Sequence, residues 1–343
     1  MLLASLGKSP LPFDMFAVAQ DAATAKRQDR LQSIYHRGQA LAWDGQTVLS
    51  ELLQKHGGIK LRQEQRVAVG SVIGVLMWGE LAAWKIASQL ADSLVPLGPK
   101  LAATSQAHDE ARHFYVLHDY LAEIGFVPQP LDRQTRMLLD GVLTTHDPLF
   151  KVMGMQLMIE ALALTIFQAL RESQAEPVLC ELLRYFEKDE ARHVGLGLQY
   201  LPTELPKISK WKEKRLLAFQ VQLLLAALLE LKALEPHMRV LGVDPRQVYL
   251  LGTTKQALVF EMLWKEQGQS EPQEESLASR LLTASGELLF PDAQPGQSAL
   301  LRYYRAAQKA MQTLRKGMPE NVPASSIDPE AEAQLPTSTV WRS

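Results

Sequence analysis

The pentapeptide Asp-Glu-Ala-Arg-His occurs twice in the chain, as Asp109-Glu-Ala-Arg-His113 and as Asp189-Glu-Ala-Arg-His193. Glutamate and histidine three residues apart share one face of a single helical turn. One such pair is a common accident, but two identical copies are not. Each copy follows, by thirty residues, a glutamate in otherwise apolar company: Glu80 in Gly74-Val-Leu-Met-Trp-Gly-Glu-Leu-Ala-Ala-Trp84, and Glu160 in Met155-Gln-Leu-Met-Ile-Glu-Ala-Leu-Ala-Leu164. Thirty residues let a helix run out, turn and return antiparallel, which brings each lone glutamate level with the Glu-x-x-His of its neighbour. The repeat therefore predicts two helical hairpins, paired into a four-helix bundle.

The rest of the chain agrees with an all-α fold. Ala, Leu, Gln, Glu and Arg recur at helical spacing, and alternating β-branched clusters are scarce. Four long helices are expected over Arg62–Leu94, Lys100–Ile124, Pro148–Ser173 and Pro177–Tyr200, with breaks at Pro96–Pro99, Gly125–Pro130 and Pro202–Pro206. A connecting helix, Leu131–Leu143, carries the chain from one hairpin to the other. Residues 1–61 read as covering helices (Ala22–Arg37 and Thr47–His56), and 62–204 as the bundle. Residues 205–316 read as further helices of the same domain, Trp211–Leu234, Asp244–Gln267 and Ser298–Lys316, which wrap the bundle or form a dimer surface. The stretch 317–343, rich in Pro, Ser, Glu and Thr, reads as a flexible tail.

Composition narrows the function. The 343 residues carry 36 basic and 38 acidic side chains spread along the whole length, a formal charge of -2, so no field suits nucleic acid. Cys180 is the only cysteine, which excludes an internal disulfide and any all-cysteine metal site within one chain. The N-terminal Met1–Lys8 has no basic start and too short an apolar run for a signal peptide. The longest apolar run, Leu223–Leu229, falls far short of a membrane span. A soluble, cytoplasmic protein with no nucleic-acid or membrane partner is expected.

The two apolar glutamates carry the chemical argument. An ionised carboxylate in such surroundings costs several kcal/mol unless a cation compensates it. Pairing the hairpins gathers four carboxylates and two imidazoles around one pocket, a donor set suited to two iron or manganese ions. Glu80, Glu110, His113, Glu160, Glu190 and His193 are the candidate ligands. Two iron ions, or manganese with iron, are the expected cofactor.

On these motifs, residues 62 to 200 resemble the ferritin-like non-haem di-iron carboxylate proteins. The doubled Asp-Glu-x-Arg-His is most similar to bacterial multicomponent monooxygenases, with fatty-acid desaturases and ribonucleotide reductase small subunits more distant. The resemblance implies that Glu80, Glu110 and His113 hold one ion and Glu160, Glu190 and His193 the other, with Glu110 and Glu190 bridging. It also implies that Asp109 and Asp189 accept an imidazole N–H of the opposite motif, and that Arg112 and Arg192 neutralise those aspartates.

Particular positions depart from the relatives. Leu117 stands where a reductase small subunit has its radical tyrosine. Leu164, with Thr165 next to it, stands where the monooxygenases often have threonine, and Phe186 stands where arylamine N-oxygenases add a histidine. The expected function is an oxygen-activating oxidase or monooxygenase for a small organic substrate. Electrons would come from a separate reductase or ferredoxin, since the chain has no flavin, nicotinamide or iron–sulfur signature, and a homodimer is expected. A ferroxidase and a radical-generating partner subunit are the competing readings. Met77, Trp84, Phe114, Gln156 and Phe186 are candidate walls of the substrate pocket.

Overall fold

In the computed structural model, which describes residues 22–268, 277–292 and 296–316, all regular structure among the described residues is helical. The expected tail, 317–343, lies outside them. Helices α1 (Ala22–Ala40) and α2 (Gly45–His56) lead into the bundle helices α3 (Gln63–Ser93) and α4 (Leu97–Glu123). The connecting helix α5 (Arg133–Leu143) follows. The third bundle member is α6 (Pro148–Val152), a π-helical segment (Met153–Ile159) and α7 (Glu160–Ser173), and the fourth is α8 (Pro177–Glu204). Beyond them lie α9 (Lys210–Val240), α10 (Pro245–Glu266), α11 (Leu277–Leu289) and α12 (Ala299–Lys316).

Local chemistry sets the helix starts. Asp44, Asp132, Asp147, Glu176, Ser209 and Asp244 each accept a backbone N–H of the first turn that follows. These side chains satisfy donors that a helix start leaves orphaned. Gly57, at φ 67, ends α2 in the left-handed conformation that glycine adopts without steric cost.

Several elements depart from the sequence reading. The helix expected to end at Leu234, before Glu235-Pro236, instead continues as α9 through Pro236 to Val240. The residues around that proline, Leu234, Met238 and Leu241, are buried in the core, and their packing outweighs the lost backbone hydrogen bond. In the same way α8 passes through the buried Pro202. Helix α4 begins before Pro99, which sits in the first turn where its missing N–H costs nothing. Helix α11 has no counterpart among the expected elements.

Two large apolar clusters fill opposite ends of the bundle, and a small third one, Leu228, Tyr249 and Phe290, joins the C-terminal helices. One large cluster contains Leu117, Phe167, Leu182 and Ile73. The other contains Ala103, Met155, Val194 and Ile86. On each bundle helix the apolar series changes from one cluster to the other at the level of Glu80, Glu110, Glu160 or Glu190. The polar residues thus form one layer between two dry halves.

Three helical stretches, Gln63–Ser93, Pro148–Ser173 and Lys210–Val240, are long and apolar enough to cross a membrane, which the short apolar runs do not suggest. In the first two, 61% and 83% of the most apolar window is buried inside the protein, but in α9 only 33% is.

Candidate metal centre

All six candidate ligands are buried, none more than 4% exposed. Their donor atoms fall into two groups: Glu80, Glu110, His113 and Glu190, and Glu110, Glu160, Glu190 and His193, with the atoms of each group within 4.8 Å of one another. Glu110 and Glu190 belong to both. His113 Nδ1 lies 3.4 Å from Glu80 Oε2, 3.3 Å from Glu110 Oε2 and 3.1 Å from Glu190 Oε1. His193 Nδ1 lies 3.0 Å from Glu110 Oε1, 2.7 Å from Glu190 Oε2 and 4.0 Å from Glu160 Oε1.

The far side of each ring meets an aspartate of the other copy of the repeat. Asp189 Oδ2 is 3.0 Å from His113 Nε2, and Asp109 Oδ2 is 3.4 Å from His193 Nε2. An imidazole that donates through Nε2 presents a bare Nδ1 to the cluster. Arg112 Nη2 donates to Asp109 Oδ1 at 2.6 Å and Asp189 Oδ2 at 2.8 Å, while Arg192 Nη2 reaches Asp189 Oδ1 at 2.6 Å and Asp109 Oδ2 at 3.0 Å. Two arginines and two aspartates therefore lock the helices bearing the two copies together. Burial opposes ionisation of Asp189, yet His113 and the two guanidinium charges hold its carboxyl far below the usual carboxylate range.

Three residues that the sequence does not single out help to build the site, two in the ligand layer and one beside it. Trp43, in the α1–α2 connection, donates from Nε1 to Asp189 Oδ2 at 2.8 Å, and the Arg112 guanidinium lies 4.7 Å from its ring centroid. Gln106, one turn before Glu110, donates from Nε2 to Glu110 Oε1 at 2.9 Å and to Glu160 Oε1 at 2.8 Å. Its equivalent in the second copy, Phe186, stacks on His113 with centroids 4.2 Å apart. One half of the cluster is thus lined by an amide and the other by a ring. The third is Gly154, near the start of the π-helical segment. A Cβ there would lie 2.9 Å from Val142 and 3.0 Å from Phe219, so this wide turn packs where no larger residue fits. The segment ends where the Glu160 N–H bonds the Met155 carbonyl, five residues back. Such segments are frequent at functional sites and have no simple sequence signature.

The residues present fit a pair of cations. Burial, then the charge of Glu190, push the carboxyls of Glu80 and Glu160 well above the ordinary range. Burial opposes ionisation of Glu110 as well, yet His193 and His113 hold it well below that range. Glu110 Oε2, Glu190 Oε1 and His113 Nδ1 are buried without a hydrogen-bond partner, and all three point into the cluster. Metal coordination would satisfy all three.

A cavity of about 1120 Å³ reaches the cluster at Glu80 and Glu160. Val72, Leu76, Gly79 and Ala83 of α3 form one side and Leu224 and Leu231 of α9 another, with α10 and α11 closing it. The C-terminal helices therefore do more than wrap the bundle: they build this chamber. The expected wall residues are elsewhere. Met77 is core, Trp84 is 38% exposed beside Phe114, Gln156 lies 3.0 Å from the Gln106 amide and Phe186 covers His113. Thr165 does line the cavity, with its hydroxyl donating to the Ala161 carbonyl at 2.8 Å. Leu117 is fully buried in the core.

The architecture is the ferritin-like helical bundle, carrying a buried carboxylate and histidine cluster that fits a di-metal site. No protein-family model matches the chain, and no curated protein sequence matches it. Solved structures do share its fold. An aldehyde deformylating oxidase from Synechococcus superposes with a TM-score of 0.53 at 17% identity, over 65% of this chain and 98% of its own. Two variants of an R2-like ligand-binding oxidase, one with an Mn/Fe and one with an Fe/Fe cofactor, give TM-scores of 0.51 and 0.52 at 14% identity. Each of those alignments spans 68% of this chain, and they cover 93% and 92% of the two variants.

Proposed function

We propose that the protein is an oxygen-dependent di-metal oxidase or monooxygenase for a small, largely apolar organic substrate. Glu80, Glu110, His113, Glu160, Glu190 and His193 hold two iron ions, or manganese with iron, in this reading. The observation that carries it is the apolar cavity that touches Glu80 and Glu160, because it brings a carbon skeleton up to the ligand layer. When bound, the metal pair supplies the electrons that reduce oxygen. The chain does the rest. Asp189 and Asp109 orient the two imidazoles, Arg112 and Arg192 keep those aspartates ionised, and the apolar walls exclude water from the reacting region. The structural neighbours named above are oxidases, which agrees with this reading.

Electrons come from a separate reductase or ferredoxin. The single cysteine is buried and unpaired, which suits the cytoplasm, and the exposed Leu225 and Leu229 of α9 offer an apolar surface for the expected second copy.

Oxygen uptake tests the proposal. With the two ions in place, an artificial electron donor and a panel of medium-chain organic compounds, uptake should continue for many turnovers without added iron. Uptake that stops at a fixed ratio to the iron supplied would instead favour a ferroxidase.

A further inference from the structure

Helix α12 carries Arg302, Arg305, Lys309 and Arg315 and no acidic residue, on a chain whose formal charge is -2. Its apolar residues Leu300, Tyr303, Tyr304, Ala307, Met311 and Leu314 recur at i, i+3, i+4, i+7, i+11 and i+14, so they form one stripe along the helix. Leu300 is 85% exposed, Tyr304 60% and Met311 52%, and the other members of the stripe are exposed too. Only a narrow ridge, Ala306, Ala310 and Thr313, is buried, and the helix packs on α11. Lys309 fastens it there, with Nζ 2.8 Å from Glu287 Oε1.

A continuous apolar stripe facing water marks a surface that is covered in use. Two features of α12 say what covers it. The stripe is joined to positive charge: Arg315, four residues after Met311, borders it, Arg305 lies farther round the helix, and both are exposed. Tyr303 and Tyr304 add rings with an apolar body and a polar tip, side chains suited to a boundary between hydrocarbon and water. A helix with these two faces lies in the plane of a lipid surface, its apolar side among acyl chains and its guanidinium groups at anionic headgroups. A second copy of the chain fits less well. At a twofold contact α12 would meet itself, setting arginines against arginines with no acidic residue on either helix to answer them.

We infer that α12 holds the protein on the surface of a membrane containing anionic lipid, with the stripe among the acyl chains and Arg305 and Arg315 at the headgroups. The expectation of no membrane partner rests on the lack of a spanning run, and a helix lying in the surface needs none. Helix α11, on which α12 rests, lines the chamber with Ser279, Leu282 and Thr283. A docked protein therefore keeps its chamber close to the phase in which apolar molecules collect.

Vesicle flotation reads the inference without metal or turnover, so it stands or falls apart from the oxidase reading. The full-length protein is mixed with vesicles of phosphatidylcholine alone or of phosphatidylcholine with phosphatidylglycerol. Binding to the anionic vesicles should be at least about tenfold stronger, and should weaken as sodium chloride rises from about 0.1 to about 0.5 M. Arg305→Glu combined with Arg315→Glu should lower it by at least about tenfold. Leu300→Ser combined with Met311→Ser should do the same, because the apolar half of the interaction is removed. All four side chains are exposed, so thermal unfolding of both variants should match wild type. Wild-type binding no stronger to anionic than to neutral vesicles, or undiminished binding by both variants, would overturn the inference. So would a lipid-free dimer that Leu300→Ser with Met311→Ser converts to monomer, since the stripe would then belong to a second copy.

Discussion

Asp189 Oδ2 stands 3.0 Å from His113 Nε2, although the two residues belong to different copies of the repeat. Asp109 faces His193 in the same crossed sense at 3.4 Å. Each copy therefore orients the imidazole of the other, so the centre depends on both hairpins being docked.

Replacing Asp189 with Asn should leave the fold intact and weaken metal retention by on the order of 10–100-fold. Asp109→Asn should do the same less severely, because its contact to the ring is longer. Metal per chain after dialysis against a weak chelator is the measurement. Retention equal to wild type in both variants would show that the crossed contacts do not orient the ligands.

The repeat makes the ligand layer legible in the amino-acid sequence. Paired Glu-x-x-His turns and lone apolar glutamates, each thirty residues apart, leave few ways to arrange four helices. What is not legible depends on contacts without a local pattern. Trp43 reaches Asp189 across 146 positions of chain, and Gln106 acquires meaning only when α4 is set beside Glu160. Helix α9 runs through Pro236 because tertiary packing overrides a local breaker. The chamber escapes the sequence because α9, α10 and α11 close it against the bundle, and the apolar residues of α9 and α10 read simply as wrapping.

Gly79, beside Glu80, lines the cavity, and a Cβ built there meets nothing within 4 Å. Gly79→Ala should raise stability by roughly 0.5–1 kcal/mol, since alanine suits a helix interior better than glycine. Gly79→Leu should project into the chamber, keep both metal ions and lose substrate-dependent oxygen uptake. Thermal unfolding, metal analysis and oxygen electrode traces on the two variants check this. Full substrate turnover in Gly79→Leu would show that substrate approaches from elsewhere.

Glu230 sets a pH dependence of stability. Burial, and then the charge of Asp132, push its carboxyl up to about 7 against the effect of Thr135. The folded protein holds this proton where the unfolded chain has released it, so the stabilisation is complete below the ordinary glutamate value. It is lost as pH rises through about 7. Glu230→Gln, which has no charge to bury, should unfold at the same temperature as wild type near pH 4.5 and at a higher one at pH 8. Parallel Tm profiles for the two proteins across this range would mean that Glu230 is solvated in the native state.

The account depends most directly on how many metal ions the chain keeps. Purified protein titrated with excess ferrous iron in air, then desalted, should retain about two ions per chain, the number that six ligands with two shared carboxylates hold. Retention of a single tightly bound ion would contradict the dinuclear centre, and retention of far more than two in a soluble assembly would replace the oxidase with an iron store.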